Sequence, residues 1–445
     1  MRFLTCCLAT LTLFLALPCA AAEQGRQGPP RNVILFGWDG AQRAHVQECL
    51  QRGELPTLKQ LSEEGALVNI DVITGATDTK AGWTQILTGY HPQVTGVYNN
   101  GQFRDVPQGL SVFERLKAQF GPDFVCAAVI GKREHCGEIR EPFKRKLTDE
   151  EAARIEEEMQ QQQERRRQQR RTAQSGQAKP AAAPAPAQPG TQPRAGAGRR
   201  GAAGKPAQPG AGRQVIGRIV EENGEKYLVF EGSPYYTMHQ ACDVWEYGLM
   251  EDEKVGTRAL ELLEKYKDKP FFFFVHFASV DHDGHRYGEN SKEYNDALIS
   301  NDEWTGKIIA KLKELGLYDQ TLVYVTADHG FDEGKTSHAY APYIFLGTND
   351  PLVRRDGMRQ DIAPTILARF GVDLSGLQPP LDGEPLTQPA TKPVQKAPET
   401  KPVAKGPKTP KKPGPAASGG KAAQPKQGAK NPRKAGEAAA QPAVK

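Results

Sequence analysis

The sequence is short of long apolar runs and of internal repeats, and both shortages limit the possible folds. Phe3–Leu17 is the one long apolar run, and it is too short to span a bilayer comfortably. A protein with several membrane spans is therefore excluded, and so is a repeat solenoid, because no period is visible. Cys-x-x-Cys and Gly-x-Ser-x-Gly are also missing, which disfavours a cysteine-based zinc site and a serine hydrolase.

Two stretches contain no leucine, isoleucine, methionine or aromatic residue, so neither can build a hydrophobic core. Residues 165–213 have 11 basic residues and no acid, and residues 388–445 have 13 basic residues against two acids. The whole chain carries only +5, so the remainder is acidic. We expect an acidic body with two basic, disordered appendages, and no specific nucleic-acid partner despite the basic pI.

The first 22 residues predict an export signal. Arg2 precedes the apolar run, Pro18 breaks it, and Ala20–Ala22 supplies the small residues that a signal peptidase needs. A lipoprotein anchor on Cys19 is the alternative, although Pro18 is a poor residue just before such a cysteine. We expect a periplasmic or extracellular protein with no transmembrane helix after the signal is removed.

Removal of this signal would take three of the seven cysteines with it. The four that would remain are Cys49, Cys126, Cys136 and Cys242. An oxidising compartment permits disulfides among them. Four cysteines allow three full pairings, and the sequence does not choose among those pairings.

Short apolar runs alternate with helical patterns through the rest of the chain, and each run has the length of a buried strand. The predicted strands are Val33–Phe36, Ala66–Thr74, Phe124–Ile130, Phe271–Phe277, Leu322–Thr326 and Tyr343–Leu346. The predicted helices are Ser111–Phe120, Asp243–Lys269, Lys292–Leu315 and Asp361–Phe370, and Gly248 and Gly256 could break the second of them. This order predicts an α/β fold with a mostly parallel central sheet sandwiched between helices.

Two further segments interrupt the alternation. Val215–Ile219 and Tyr227–Phe230 flank Asn223-Gly224, which is a strong signal for a small β-hairpin. Asp149–Arg171 is helix-prone but has so few large apolar residues that we expect it to project into solvent. The predicted organisation is a signal peptide at 1–22, catalytic parts at 31–143 and 215–386, a helical then disordered insert at 144–214, and a disordered tail at 387–445.

Three of the predicted strands are followed by a carboxylate. Asp39 follows the first strand, Asp281 follows the strand that begins at Phe271, and Asp328 follows the strand that begins at Leu322. Because sites in open α/β sheets form at the carboxyl ends of strands, these acids could converge in one crevice.

Three histidines accompany the acids, and they are His285, His329 and His338. Carboxylate and imidazole ligands without thiolates suit zinc, with manganese or iron as alternatives. Six such ligands are too many for one tetrahedral ion, but they suffice for two ions that share a site. The histidines that we interpret as structural are His45, His91, His239 and His276.

Thr79 is a candidate nucleophile because a helix is predicted to start just after it and to run to Leu87. A hydroxyl at a helix N-terminus faces backbone N–H groups, which would also receive an anionic ester. A threonine hydroxyl needs a metal ion to lower its pKa, and without one Thr79 would be only a helix cap. Ser/Thr-His-Asp catalysis is the alternative.

Taken in order, these motifs resemble those of the alkaline phosphatase superfamily. The likeness is to its threonine-nucleophile branch of nucleotide pyrophosphatases/phosphodiesterases and related phosphate-monoester hydrolases, and it covers about 31–143 and 215–386. It includes the late segments SHAYAPYIFLG and DIAPTILARFGV. The resemblance implies two zinc ions. Their ligands would be Asp281, His285 and His338 for one ion and Asp39, Asp328 and His329 for the other, with Thr79 between the ions.

The resemblance also gives two residues a role at the substrate. Asn100 resembles an asparagine that binds a phosphoryl oxygen, and Lys132 resembles a basic substrate contact of monoesterases and sulfatases. Formylglycine sulfatases need Cys or Ser where Thr79 stands, so the resemblance implies hydrolysis of phosphate monoesters or diesters through a phospho-threonine. The alternatives are a sulfatase-like or phosphonate hydrolase, or a non-catalytic protein whose basic tail binds anionic envelope polymers.

Overall fold

The computed structural model of the chain describes residues 26–176 and 217–393. The predicted signal peptide, most of the basic insert and most of the tail lie outside the described residues.

The strands are β1 (Asn32–Trp38), β2 (Ala66–Asp71), β3 (Val125–Ile130), β4 (Phe143–Lys146), β5 (Arg218–Glu222), β6 (Glu225–Phe230), β7 (Val244–Tyr247), β8 (Phe271–Phe277), β9 (Thr321–Thr326), β10 (Tyr343–Thr348) and β11 (Gly357–Met358). The α-helices are α1 (Arg43–Arg52), α2 (Pro56–Glu64), α3 (Thr79–Thr88), α4 (Pro92–Thr95), α5 (Val112–Phe120), α6 (Asp149–Gly176), α7 (Tyr236–His239), α8 (Asp252–Tyr266), α9 (Ser279–Tyr287), α10 (Lys292–Glu314) and α11 (Ile362–Arg369).

Eight strands form the central sheet, in the order β11-β2-β10-β9-β1-β8-β3-β7. The five strands β9, β1, β8, β3 and β7 are parallel to one another, whereas β10 runs antiparallel to β9 and to β2. Every residue of β1, β3, β8 and β9 is buried, which explains why these strands are continuous apolar runs in the sequence. The mostly parallel sheet flanked by helices confirms the predicted fold class.

One predicted helix is wrong in its first part. The segment expected to be helical from Asp243 begins instead with β7, the edge strand that pairs with β3, and α8 starts only at Asp252. Trp245 and Tyr247 favour a strand, and Gly248 ends it with a φ of 78°. Pairing with an existing sheet edge therefore overrides the helical spacing of this segment.

A small antiparallel sheet, in the order β4-β6-β5, contains the predicted hairpin. Asn223 and Gly224 both have positive φ at its turn, as this type of hairpin requires. The sequence gives no signal for β4, because all four of its residues are exposed and three are basic.

Helix α6 begins as predicted at Asp149, but the expectation that it projects into solvent is wrong for its first turns. Ala152 and Ile155 are buried in a small apolar cluster with Leu147 and Leu228 of the three-stranded sheet. The few apolar residues of the helix lie on one face, and this face packs against the three-stranded sheet. No helix in the described part of the chain carries an apolar stretch that could cross a bilayer.

The four cysteines considered for disulfides are free thiols, and three of them are buried. Burial raises the pKa of the Cys126 thiol in β3 to about 12, and it raises the pKa of Cys136 well above its ordinary value. Both thiols are therefore neutral, which makes them poor nucleophiles.

His45 is a structural residue, as expected. Its Nδ1 lies 2.9 Å from Glu289 Oε1, and both side chains are buried. Burial alone would lower the pKa of His45, but hydrogen bonds with Cys49 and Glu289 outweigh burial and raise it to about 10. The folded protein therefore holds His45 as an imidazolium paired with a carboxylate.

This pair predicts a loss of stability in alkali. An unfolded His45 titrates near its ordinary value of 6.5, so the stabilisation is complete below that pH and disappears as the pH rises towards 10. We expect the unfolding free energy, measured by urea titration, to fall across this interval. His45→Gln should flatten that part of the profile, and an unchanged slope in the variant would contradict the assignment.

Candidate active site

The carboxyl ends of four adjacent parallel strands carry the charged residues of the site. Asp39 directly follows β1, Lys132 comes two residues after β3, and Asp328 comes two residues after β9. Asp281 lies in the first turn of α9, just beyond β8. Since β9, β1, β8 and β3 are consecutive in the sheet, these four side chains meet at one edge, and each is at most 7% exposed.

The Lys132 ammonium is at the centre of the group. Its Nζ lies 2.8 Å from Asp39 Oδ1, 2.8 Å from Asp281 Oδ2 and 2.8 Å from Thr79 Oγ1. The lysine therefore neutralises part of the charge of two buried carboxylates and donates a hydrogen bond to the threonine hydroxyl. This contact joins the candidate nucleophile to the acidic cluster.

Asp281, His285 and His338 form the first group of possible metal ligands. Helix α9 places Asp281 and His285 one turn apart, and the loop between β9 and β10 carries His338. Asp281 Oδ1 is 3.5 Å from His285 Nε2 and 3.9 Å from His338 Nε2, and the two Nε2 atoms are 3.1 Å apart. Ligands of a tetrahedral zinc ion with bonds of about 2.0 Å are separated by about 3.3 Å, so this spacing suits zinc.

Asp39, Asp328 and His329 form the second group. His329 Nε2 lies 3.7 Å from Asp39 Oδ1 and 3.6 Å from Asp328 Oδ2, and all three side chains are fully buried. The same Nε2 is 3.7 Å from Asp281 Oδ1 of the first group. The two groups are therefore neighbours, and His329 lies between them.

The histidines of both groups present the same ring nitrogen to the site. Each Nδ1 contacts a backbone carbonyl, which can only accept a hydrogen bond, so Nδ1 carries the proton and Nε2 keeps its lone pair. The carbonyls are those of Thr336 for His285 (3.0 Å), Gly330 for His329 (2.9 Å) and Thr77 for His338 (2.5 Å). A second hydrogen bond of this kind is the usual way in which proteins orient an imidazole ligand towards a metal ion.

Several inward-facing atoms are buried without a hydrogen-bond partner among the described residues. They are Asp281 Oδ1, Asp328 Oδ2 and His329 Nε2. The Nε2 atoms of His285 and His338 lie 3.1 Å apart, and with both ring protons on Nδ1 neither Nε2 can donate to the other. Converging buried acceptors repel one another unless a cation lies between them. The donor set therefore fits a divalent cation bound by nitrogen and oxygen, as zinc is.

The protonation of Asp39, His329 and His338 agrees with metal binding. Burial would raise the pKa of Asp39, but Lys132 and His276 outweigh it and hold that pKa well below the ordinary value. Burial and the charge of Asp39 raise the pKa of Asp328 well above its ordinary value, which favours its protonated form, so a cation bound beside Asp328 would displace this proton. Burial lowers the pKa of His329, and together with His329 it lowers the pKa of His338 to about 4, so both imidazoles are neutral, the form that ligates metals.

Thr79 is the first residue of α3, and Asp78 rather than Thr79 is its cap. Asp78 accepts hydrogen bonds from the N–H groups of Ala81 (3.3 Å) and Asn100 (2.7 Å). Asn100 Oδ1 in turn accepts from the N–H of Lys80 (2.9 Å). Side chains therefore already occupy two of the helix N–H groups that were expected to receive the ester, those of Lys80 and Ala81. The amide Nδ2 of Asn100 is a further donor that a substrate could use.

Two residues that the sequence did not assign to the site hold Asp39 in place. His276 Nε2 donates to Asp39 Oδ2 at 2.8 Å, and Trp83 Nε1 donates to the same oxygen at 3.3 Å. His276 is buried within β8, as expected of a structural histidine, but its hydrogen bond fixes a candidate ligand. The signal in the sequence for this role is a histidine one residue before the end of a strand that leads into the site.

A glycine lets α3 approach the second ligand group. A Cβ atom added at Gly82 would lie 2.5 Å from Asp328 Cβ, so any larger residue would push the helix away from Asp328. Arg359 also holds Asp328 in place, because its guanidinium donates a hydrogen bond to the backbone carbonyl of Asp328 at 2.8 Å. Both contacts fix the distance between Thr79 and the ligands.

Because a bound cation would relieve the repulsion between the buried acceptor atoms of the two groups, removal of bound metal should destabilise the protein. Zinc at a free concentration 100 times its dissociation constant should raise the unfolding free energy of the chelated protein by about 2.7 kcal/mol. Thermal unfolding with chelator, and then with added zinc, measures this gain. His338→Ala should reduce it, whereas His239→Ala, a change in α7 outside the ligand groups, should not. An identical response in the two variants would argue against the assigned ligands.

Known proteins are similar to this chain in sequence. The family model described as type I phosphodiesterase/nucleotide pyrophosphatase matches residues 33–365. A 2,3-bisphosphoglycerate-independent phosphoglycerate mutase of Wolbachia pipientis wMel is 34% identical over 122 residues, which are 25% of this chain and 23% of the mutase. A steryl-sulfatase of Rattus norvegicus is 34% identical over 84 residues, 18% of this chain and 14% of the sulfatase.

The matched segments thus span less than a quarter of each of these two relatives. Among solved structures, the lipoteichoic acid synthase LtaP from Listeria monocytogenes aligns with 83% of this chain and 81% of its own, at 14% identity and a TM-score of 0.44.

Proposed function

Because the chain belongs to the type I phosphodiesterase/nucleotide pyrophosphatase family, we propose that it hydrolyses phosphate esters through a covalent phospho-threonine on Thr79. The observation that carries this proposal is the position of the Thr79 hydroxyl. It lies 2.8 Å from the Lys132 ammonium, which also contacts one carboxylate from each group of candidate metal ligands. A hydroxyl, a cation and two groups of candidate metal ligands thus lie together in one crevice, which supports the proposal.

Two divalent ions, zinc by preference, fit the two ligand groups. Bound there, such ions would supply Lewis acidity, which lowers the pKa of a nearby hydroxyl and stabilises negative charge on the phosphoryl oxygens and the leaving oxygen. We assign Asp281, His285 and His338 to one ion and Asp39, Asp328 and His329 to the other. His329 also groups with Asp281 and His338, which makes it a candidate ligand of either ion.

The chain's own residues provide the positioning and the charge for the reaction. Thr79 Oγ1 forms a bond to phosphorus while the bond from phosphorus to the ester oxygen breaks, and the alcohol leaves with a proton. Lys132 holds Oγ1 and stabilises its developing negative charge, and Asn100 Nδ2 donates to a non-bridging oxygen. Water then displaces the threonine oxygen and restores the hydroxyl, which releases inorganic phosphate when the substrate is a monoester and a phosphate monoester when it is a diester.

Lys132 favours a monoester over a diester as the substrate. A phosphate monoester carries two negative charges when fully ionised and a diester carries one. The Lys132 ammonium adds a positive charge beside Thr79, so it stabilises the monoester more. Sulfatase activity is disfavoured, because threonine stands where formylglycine sulfatases need Cys or Ser.

Rates on three chromogenic substrates test the proposal. The zinc-loaded protein should hydrolyse 4-nitrophenyl phosphate faster than bis(4-nitrophenyl) phosphate, and both faster than 4-nitrophenyl sulfate. Activity should disappear on chelation and return with zinc. A protein that binds zinc at these ligands but hydrolyses none of the three would instead support the non-catalytic alternative.

A further inference from the structure

A cavity of about 820 Å³ opens next to the candidate active site. Lys80 and Asn100 form its inner end, and His135 and Phe103 lie beside them. Its outer wall consists of residues from α6 and from the three-stranded sheet, the two elements that are inserted between β3 and β7. The cavity is much larger than a phosphate group, so it has room for the rest of a substrate.

Lys80 is a buried cation at the inner end of this cavity. The side chain follows Thr79 directly, and the residue is 5% exposed. The groups that its Nζ contacts are neutral: His135 Nδ1 at 2.9 Å, the carbonyl of Asn100 at 3.5 Å, and the ring of Phe103 at 4.3 Å from its centroid. Burial lowers the pKa of Lys80 to about 8, so the ammonium still carries its charge at neutral pH.

The other guanidinium and carboxylate groups of the cavity wall are largely paired. Arg140 contacts Glu138, and Arg218 lies 2.5 Å from Glu231. Glu134, also on the wall, is exposed to solvent. Lys80 is therefore a lining cation with no carboxylate among its hydrogen-bond partners, and the carboxylates of Glu138, Asp78 and Glu134 act on it only through space. A buried charge in this condition is costly to the fold, which suggests that it serves a ligand.

His135 adds a second donor at the same place. Its Nδ1 accepts from Lys80, so the ring proton is on Nε2. The backbone of His135 has a φ of 70°, which is strained for a residue other than glycine, and the Tyr235 hydroxyl holds its carbonyl at 3.0 Å. Backbone strain of this kind tends to occur at binding sites, where the surrounding structure enforces it.

We propose that Lys80 and His135 bind a second anionic group of the substrate, a carboxylate or a phosphate a few bonds from the ester that Thr79 attacks. Both residues offer donors and no acceptor to the cavity, and they adjoin Asn100, which contacts the ester itself in the proposed function. The preferred substrate class is thus a phosphate ester whose organic part carries a nearby negative charge. This inference rests on the proposed function.

Two matched pairs of substrates test it. One pair is 2-carboxyphenyl phosphate and phenyl phosphate, and the other is the bisphosphate of propane-1,2-diol and propyl phosphate. We expect kcat/KM to be roughly tenfold to hundredfold higher for at least one charged member. The pair with the larger ratio identifies the carboxylate or the phosphate as the second group. Lys80→Met should bring that ratio close to one, and Lys80→Arg should restore part of it.

Lys144→Met is the matched control, because Lys144 is a half-exposed lysine on β4 that pairs with Glu222 outside the cavity, and the substrate ratio should not change there. Calorimetric binding of the same compounds to Thr79→Ala, with and without Lys80→Met, gives the ratio independently of turnover. If no ester is hydrolysed, the proposed function fails. If all are hydrolysed but the charged members gain nothing in rate or in binding, the second anionic group is refuted.

Discussion

We expect Thr79→Ala to lower kcat/KM for an aryl phosphate by at least about 10⁴-fold, because the side chain that forms the covalent bond is lost and its partners cannot act without it. Zinc content should stay the same, since the six acid and imidazole ligands are intact. Thr79→Ser keeps the hydroxyl but loses the methyl group that restricts its rotation, so we expect a loss of about 10²-fold. Steady-state kinetics and metal analysis of the purified variants measure both effects.

The matched control is Thr88→Ala, in the last turn of the same helix. Thr88 is fully buried and donates to the carbonyl of Thr84, so its loss should reduce stability but not turnover per folded molecule. Thr79→Ala with near wild-type activity would show that another group attacks the phosphorus, and the role of Thr79 would then be that of the first residue of α3 alone.

Lys132→Met should have the largest effect on stability. The ammonium contacts two buried carboxylates, and Lys132 itself is 7% exposed, so its removal leaves uncompensated buried charge. Removal of one partner from a buried ion pair costs about 3–5 kcal/mol, and we expect a loss of this size in the chelated protein. Zinc should recover much of it, because added cations replace the missing charge. Urea unfolding with and without zinc tests the difference.

The same variant should lose activity selectively. Loss of a charged donor at the reacting oxygen costs about 10²–10³ in rate, and we expect this loss for the monoester. The diester, which carries one negative charge fewer, should lose less. Lys292→Met, at a lysine exposed on α10, is the control and should change neither stability nor rate. Equal losses on both substrates would contradict the proposed preference for monoesters.

Much of the fold could be predicted because its buried strands are continuous apolar runs. All six predicted strands are present, and β8 has the predicted bounds. The errors are at the periphery, where tertiary contacts outweigh local pattern. Residues of β7 have helical spacing but pair with the edge of β3, and the polar strand β4 forms because β6 offers it a partner.

The candidate site could also be predicted only in part. Carboxylates that follow parallel strands could be brought together from topology alone, and the structure places Asp39, Asp281 and Asp328 at one sheet edge. The hydrogen bonds around them could not be predicted, because they join residues far apart in sequence. The His276 bond to Asp39 spans 237 residues and needs the register between β1 and β8.

The most direct test is to find the phosphoryl group during turnover. The zinc-loaded enzyme is mixed with a saturating aryl phosphate, quenched in acid within one turnover, digested and analysed by mass spectrometry. We expect the mass of one phosphoryl group on the peptide that contains Thr79, with fragment ions that assign it to this residue and not to Thr77 or Thr84. A phosphoryl group on any other residue, or turnover with the Thr79 peptide unmodified, would contradict the proposed mechanism.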